Sequence, residues 1–429
     1  MGKLYKTKPI QRDGPMKITV LGAGVIGVTT AYQLAKDGHE VTVIDRQALA
    51  ANETSFGNAG MIAPGHSYTW ASPKAPGILL RSLFQRDQAL RLSLRADWRM
   101  WRWCLQFLRN CTEERARVNT LRKLQLAQYS QRILKETVAE TGVEYDRNTN
   151  GILYLYRDEA SFNGGVAHMK ILQDAGQEFR ILDFAGVIQV DPALKAARGK
   201  LFGGLHGPTD ESGDCHKFSN ALAQHCAGRG VKFQYQTTVT GFETEGDAVR
   251  AVVTDKGSVA GDLVVLALGS YAPFLAAKLG IDLPVYPVKG YSITMPIKDR
   301  DLAPRVPGID ENFLVAYTPM GDRIRMTATA QFAGYDTTHR PEDFRTAMDV
   351  AENLFPGGGD FSRASYWAGL RPMTPDGPPR LGRARYRNFY LNTGAGHMGW
   401  TLSHGSARVV ADLIAGRKPA IDVTGMTMA

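Results

Sequence analysis

Gly22, Gly24 and Gly27 stand in the pattern Gly-x-Gly-x-x-Gly. This spacing suits the close passage of backbone past a pyrophosphate. Gly22 permits a tight turn, Gly24 lets the main chain approach the phosphates, and Gly27 lets a helix pack on a strand. Ala23, Val25 and Ile26 fill the gaps, and the helix they open offers unpaired N–H groups and a partial positive charge. Three glycines alone are a weak signal. Here they follow the apolar run Ile18-Thr-Val-Leu21, and Asp45 ends the next apolar run eighteen residues after Gly27. An acid there can accept two ribose hydroxyl hydrogen bonds and opposes a 2′-phosphate, which argues against NADP. The bland alternative is a glycine turn with no ligand, and the motif by itself does not separate NAD from FAD.

A second set of residues bears on that choice. Asn392-Thr-Gly394-Ala-Gly396-His-Met-Gly399-Trp-Thr401 again joins an apolar run to a helical pattern. An NAD enzyme has no use for a second dinucleotide-type turn so far along the chain. A flavin ring reaches well beyond its pyrophosphate and gains negative charge on reduction, so a second helix N-terminus aimed at it stabilises the reduced form. A purely structural turn is the competing reading. Glu53-Thr-Ser-Phe-Gly-Asn-Ala-Gly60-Met-Ile-Ala-Pro-Gly65 has small residues that let backbone run beside a ring, with Ser55 and Asn58 able to bond phosphate or ring heteroatoms. It equally fits a surface loop. In Trp367-Ala-Gly-Leu-Arg371-Pro-Met-Thr-Pro, a guanidinium ends an apolar strand, where it can grip a carboxylate with two parallel hydrogen bonds. Taken locally, that pattern favours a structural ion pair.

These residues need elements to position them. Residues 16–45 read as a β-α-β unit, with a helix through Ala31, Leu34 and Ala35 that Gly38 ends. Residues 52–80 read as a long functional loop and about 82–141 as mostly helical. Gly151 to Tyr156 is a strand, and His216 to Arg229 is an amphipathic helix capped by Asp214. Val231 to Tyr235, Val249 to Thr254 and Leu263 to Leu268 are strands, with Asp255-Lys-Gly257 as a hairpin turn. Residues 285–370 alternate apolar and polar positions, which predicts a half-exposed antiparallel sheet. The last sixty or so residues return to strand, turn and helix.

Composition narrows the classes further. Apolar residues make up 44% and charged residues 22%, which excludes global disorder, a collagen-like fibre and a coiled-coil rod. Four cysteines, Cys104, Cys111, Cys215 and Cys226, form no CxxC pair, so neither a disulfide scaffold nor a metal site is expected, and a reducing compartment fits. No run is long enough to span a membrane, and the first fifteen residues lack the apolar segment of a secretory signal. Residues 1–15 read as a flexible extension. Between Arg81 and Lys135 stand 13 basic and 4 acidic residues, which accounts for the whole net charge of +9. In that stretch Leu94, Trp98, Trp101, Leu105 and Leu108 form one helical stripe, and Arg95, Arg99, Arg102 and Arg109 another. Such a helix either packs on the core with a solvated arginine face or lies on an anionic membrane. No aromatic-basic motif of the RNA-binding modules is present, so a nucleic-acid partner is not expected.

With these motifs in view, the chain resembles the bacterial D-amino acid dehydrogenases of the small-subunit type, within the wider class of flavin amine oxidases that includes D-amino acid oxidase, glycine oxidase and sarcosine oxidase. The resemblance runs over about 16–429. Its blocks are Glu53 to Gly60, Asp210-Glu-Ser-Gly-Asp-Cys215, Val285-Tyr-Pro-Val-Lys-Gly-Tyr291, Gly369 to Gly377, and Asn392-Thr-Gly394 with Gly399-Trp-Thr401. It implies FAD held by Gly22 to Gly27, Asp45 and Ser55, with Arg46, Val239, Leu268 and Gly269 on the adenosine side. It implies Asn58, Ala59, Gly60 and Met61, with Gly396, His397, Met398, Gly399, Trp400 and Thr401, around the isoalloxazine. It also matches Arg371 to the arginine that binds substrate carboxylate, reversing the local reading.

The fold class implied is mixed α/β, a Rossmann-like FAD-binding domain (16–100, 205–285 and 368–429) interleaved with an antiparallel-sheet substrate domain (101–204 and 286–367). The chemistry implied is hydride transfer from Cα of a D-α-amino acid to flavin N5, then hydrolysis of the imino acid to a 2-oxo acid and ammonia. Tyr291, Tyr317, His66 and Tyr286 could orient the amine, and each serves equally well as a packing or rim residue; Lys289 could sit near the flavin or pair on the surface. In this family the electrons are taken to pass to a quinone or another non-oxygen acceptor, which places the chain in the cytoplasm or against the inner face of the bacterial cell membrane. The rival readings are oxidation of another amine such as hydroxy-D-proline, an NAD-dependent dehydrogenase using the first glycine motif alone, and a non-catalytic flavin-binding subunit.

Overall fold

The computed structural model describes residues 14–82, 90–93 and 95–428. Residues 1–13 of the expected extension, and Leu94 of the expected stripe, lie outside them.

One sheet is built from four separated stretches of chain. Its strands run in the order Arg380–Arg383, Phe389–Thr393, Leu263–Leu266, Lys17–Leu21, Glu40–Ile44, Lys232–Gln234. All neighbours are parallel except the edge strand Arg380–Arg383. Leu263-Val-Val-Leu266 and Phe389-Tyr-Leu-Asn-Thr393 are buried at every position, as strands covered on both faces must be. On one face lie the helices Val25–Lys36, Cys215–Gly228 and Gly399–Ile414, packed on one another, and the long helix Glu113–Thr141 packs behind them. On the other face Val249, Val252, Leu275 and Phe389 form a second core under the antiparallel meander Val239–Glu245, Ala248–Thr254, Gly257–Ala260.

The larger sheet is mostly antiparallel, with Ser365–Met373, Tyr286–Pro296, Arg323–Phe332, Val315–Met320, Gly308–Asp310, Ile152–Tyr156, Gly203–Gly207 and Arg180–Asp183 in order. The sequence predicts this sheet half-exposed, and here the structure differs. Strand Tyr286–Pro296 is buried at nine of its eleven positions. One face packs on helix Arg345–Leu354 through Ile293, Phe344 and Leu354, and the other looks into a cavity. Alternation in this region therefore marks two different buried faces.

The helical stretch divides into Trp98–Asn110 and Glu113–Thr141. The shorter helix buries Met100, Trp103 and Phe107, leaving the expected stripe in solvent: Trp98 is 64% exposed and Trp101 47%. The core-packing reading of that stripe fails because a second apolar face, one residue out of phase with it, makes the contact. No helix among the described residues is long and apolar enough to cross a membrane.

Candidate active site

The first glycine turn has the geometry its residues require. Gly22 has φ +103°, open to glycine at little cost, and a Cβ there would press on the Ala267 carbonyl. A Cβ on Gly27 would strike the Gly22 carbonyl, so this position brings helix against turn. Helix Val25–Lys36 has no side-chain cap of its own; the Val25 N–H donates to Ser55 Oγ at 3.1 Å, which brings the 53–60 loop to the helix N-terminus. Asp45 accepts the N–H of Ala23 at 2.6 Å and of Gln47 at 2.7 Å. Burial raises its pKa, against the pull of those two N–H groups. A carboxylate has about four acceptor positions, so it retains capacity for ribose hydroxyls. Arg46 lies over the Tyr271 ring at 4.1 Å and bonds Glu53 at 2.6 Å, walling this end of the cavity.

A long cavity starts here. Its outer part is lined by Gly22, Gly24, Val25, Ile26, Asp45, Arg46, Ser55, Val239, Leu268 and Gly269, and it runs to Gly396, Gly399 and Trp400. The second glycine turn therefore opens onto the same space as the first. A Cβ on Gly399 would meet nothing within 4 Å, and this residue starts helix Gly399–Ile414. The helix thus presents its positive end to open space. The Trp400 ring points away, into a core with Phe218 and Tyr145, so only its backbone borders the cavity. Thr401 works as a latch: its Oγ1 accepts the Ala63 N–H at 3.1 Å and donates to the Met61 carbonyl at 3.3 Å, joining helix to loop. Gly60 lies behind the lining, its N–H held by Asn58 Oδ1 at 2.8 Å.

Thr54, Asn58 and Gly396 belong also to an inner cavity, where Ala59, Met61, His66, His397, Met398, Thr401 and Arg371 gather. Among the described residues Arg371 is the only cation on its wall, and no acidic side chain lines it. The guanidinium donates from Nη1 to the Thr329 carbonyl at 2.9 Å. Among the described residues no carboxylate pairs with it, and burial alone draws its pKa down to about 10. The ion pair that the local pattern favoured is absent from that set.

The sequence reading missed what aims this arginine. Thr329 has φ +59°, a conformation strained for a β-branched residue. It sits where the register of Arg323–Phe332 slips: Lys289 pairs with Gln331 and Tyr291 with Ala328, leaving one extra residue on the Thr329 side. The resulting bulge turns the Thr329 carbonyl onto Arg371. From the neighbouring strand, Gly290 leaves the space the guanidinium fills, since a Cβ there would collide with it. Arg325 is also absent from the sequence reading. It is 5% exposed and donates to the carbonyls of Phe56, at 2.6 Å, and Asn58, at 3.2 Å, holding the 53–60 loop. An arginine alternating with apolar residues reads as solvent-facing, so no local signal exposes this role.

Several candidates fall elsewhere. Tyr317 is buried at 0% exposure on the far side of its strand, against Phe355, while its neighbour Ala316 lines the cavity. Tyr317 is therefore a core residue. Tyr291 borders the inner cavity, but its hydroxyl donates to Gln331. Lys289 is buried and bonds the Thr338 carbonyl, and Tyr286 donates to Asp97 at 2.9 Å. His66 does line the inner cavity, beside His397 and Trp70.

Comparison with known proteins agrees with this arrangement. The family described as FAD dependent oxidoreductase matches residues 17–413. A D-amino acid dehydrogenase 2 of Mesorhizobium japonicum is 46% identical over 412 residues, covering 96% of this chain and 99% of its own. A D-amino acid dehydrogenase of Rhizobium rhizogenes is 48% identical over 414 residues, covering 96% and 99%. Among solved structures, glycine oxidase from Bacillus cereus superposes with TM-score 0.73 at 24% identity, covering 94% of this chain and 96% of its own. At that identity the likeness speaks for the fold.

Proposed function

The chain belongs to the family of FAD-dependent oxidoreductases, and from that membership we propose that it oxidises D-α-amino acids to imino acids, which water converts to 2-oxo acids and ammonia. One observation carries the reading: two cavities that share Thr54, Asn58 and Gly396 lead from the Asp45 turn, past the helix N-terminus at Gly399, to a half-buried arginine with no acidic partner among the described residues. The D configuration rests on the names of the relatives. When bound, FAD supplies the acceptor for two electrons.

The chain's own residues do the rest by placement. With FAD bound, Asp45 would take ribose hydroxyls, and the N-terminus of Val25–Lys36 would stabilise the phosphates. The end of Gly399–Ile414 would offer its dipole to the negative charge a reduced flavin carries. Arg371 takes the substrate carboxylate through the N–H groups that Thr329 leaves free. Among the described residues the inner wall offers no acid to hold an ammonium, so burial there favours the neutral amine that loss of hydride from Cα requires. Fixed at one end, the substrate needs no strong general base in this scheme.

The finer reading concerns the acceptor. We place the chain against the inner face of the bacterial cell membrane, passing electrons to a quinone. Exposed Trp98, Trp101, Leu105 and Leu108 on a helix that also carries Arg99, Arg102 and Arg109 support it.

Anaerobic addition of a panel of D- and L-amino acids to the purified protein tests the main reading. Bleaching of the flavin band near ~450 nm by D-amino acids and not by their L-forms is the expected result. Bleaching by secondary amines such as D-Pro or hydroxy-D-proline alone would redirect it, and a yellow protein that no substrate bleaches would end it.

A further inference from the structure

Two histidines in the inner cavity have work that carboxylate binding leaves unexplained. His66 Nδ1 and His397 Nε2 are buried polar atoms with no hydrogen-bond partner among the described residues. Both residues line the cavity. Their rings meet edge to face, with centroids 5.8 Å apart and planes at 88°. Each is braced by an aromatic ring, His397 stacked on Trp70 at 5.1 Å and His66 on Tyr154 at 6.2 Å. The short turn that carries His66 is pinned by Asp210, whose Oδ1 accepts the Gly65 N–H at 3.0 Å and whose Oδ2 accepts the Tyr154 hydroxyl at 2.8 Å. Buried polar atoms without partners are costly and uncommon. Two imidazoles held at a fixed angle on a cavity wall are complementary to a ligand group that can both donate and accept.

Charge narrows the kind of group. Burial, with Lys123 nearby, pulls His66 down to about 4, and burial with Lys123, His66 and Arg371 pulls His397 well below its ordinary value. Both shifts favour the neutral imidazole, which has one donor and one acceptor nitrogen. A basic side chain would find no acid among the described residues of this wall. An acidic one would need a cation beyond Arg371, and Lys123 already donates to the Tyr68 carbonyl at 2.7 Å, outside the lining.

We infer that His66 and His397 select D-amino acids whose side chain ends in a neutral hydrogen-bonding group, a hydroxyl or a carboxamide, over apolar isosteres and over basic or acidic side chains. This rests on the D-amino acid reading above and adds the substrate class. A site built to hydrogen-bond rejects an analogue lacking the polar group far more strongly than an apolar pocket rejects a size change.

The test compares kcat/KM for D-threonine against D-valine and for D-asparagine against D-leucine. The wild-type protein should favour the polar member of each pair by roughly tenfold or more. His397→Leu and His66→Phe should each bring the ratios toward one, and His397→Asn, which keeps hydrogen-bonding capacity, should retain part of the preference. A second measurement needs no turnover: in calorimetric titration, 3-hydroxybutanoate should bind more tightly than 3-methylbutanoate, and His397→Leu should remove the difference. Ratios near one in the wild type, ratios unmoved in both leucine and phenylalanine variants, or D-arginine or D-aspartate as best substrate would each overturn the inference. If D-amino acids bleach the flavin without this preference, only the inference falls. If none bleaches it, the functional reading falls, and the carboxylate pair still decides whether the histidines read a hydroxyl.

Discussion

Arg371 is half-buried, with one hydrogen bond to the described residues, at Thr329, and a cavity in front of it. Its planar fork is the asset there; a lysine keeps charge and loses the paired geometry. Arg371→Lys should lower kcat/KM by about 10²-fold, near 3 kcal/mol, mostly as a rise in KM. Saturation kinetics on the best D-amino acid checks this, and unchanged KM would remove the carboxylate role. Thr329→Gly separates strain from function. Glycine adopts φ +59° freely, so relief of strain should stabilise the protein by about 1 kcal/mol and raise Tm. The looser bulge should let the guanidinium wander and raise KM. Arg371 was legible in the sequence as a residue type before a Pro-rich turn. Its aim was not, because that depends on a register slip two strands away and on the absence of a side chain at Gly290. Tyr317 misled for a related reason: parity in the short strand Val315–Met320 decides which of Ala316 and Tyr317 faces the cavity, and both parities look alike in the sequence.

At the scale of elements, the start of helix Gly399–Ile414 faces open space. Gly399→Ala should therefore stabilise the FAD-free protein by about 0.5–1 kcal/mol through helix propensity. The same methyl group should weaken FAD binding, because it enters the space the cofactor needs. Thermal melts with and without FAD distinguish this from a merely structural turn, in which both would rise together. The turn Pro64–His66 hangs on Asp210, whose pKa burial raises to about 7, against the pull of the Gly65 N–H and the Tyr154 hydroxyl. A raised carboxyl pKa means the folded chain holds a proton that the unfolded chain releases. Between about pH 4 and 7, Asp210 therefore makes stability fall as pH rises, by at most about 1.4 kcal/mol per unit. Asp210→Asn removes that slope, so urea unfolding of the two proteins should converge at low pH and separate toward pH 7 in the variant's favour. Elements with strong local patterns, such as the β-α-β unit and the capped helix Cys215–Gly228, were readable from their residues. Helix Trp98–Asn110 was not, since it carries apolar residues on two faces and only tertiary packing chooses between them.

Across the whole molecule, the basic charge gathers around that same helix. Arg102 is paired with Asp282 and Arg99 lies over the Phe274 ring at 4.9 Å, so the tryptophans, not a row of free cations, dominate the exposed strip. Binding to anionic liposomes should fall at high salt, and Trp98→Ser with Trp101→Ser should reduce it while leaving turnover with a soluble dye acceptor intact. Indifference to liposomes at low salt would leave the membrane placement without support. We retain the division into a FAD-binding and a substrate domain as a proposal, and limited proteolysis near the expected boundaries tests it.

The strand Phe389–Thr393 pairs with Leu263–Leu266, and Lys17–Leu21 lies just beyond. Strands made early therefore wait for one made much later. While the ribosome works through the middle of the chain, one side of Leu263–Leu266 has no neighbour and helix Val25–Lys36 lacks its partner Gly399–Ile414. Nascent chains arrested before Phe389 should remain open to protease and retain no flavin, whereas release of the tail should bring protection and cofactor uptake together.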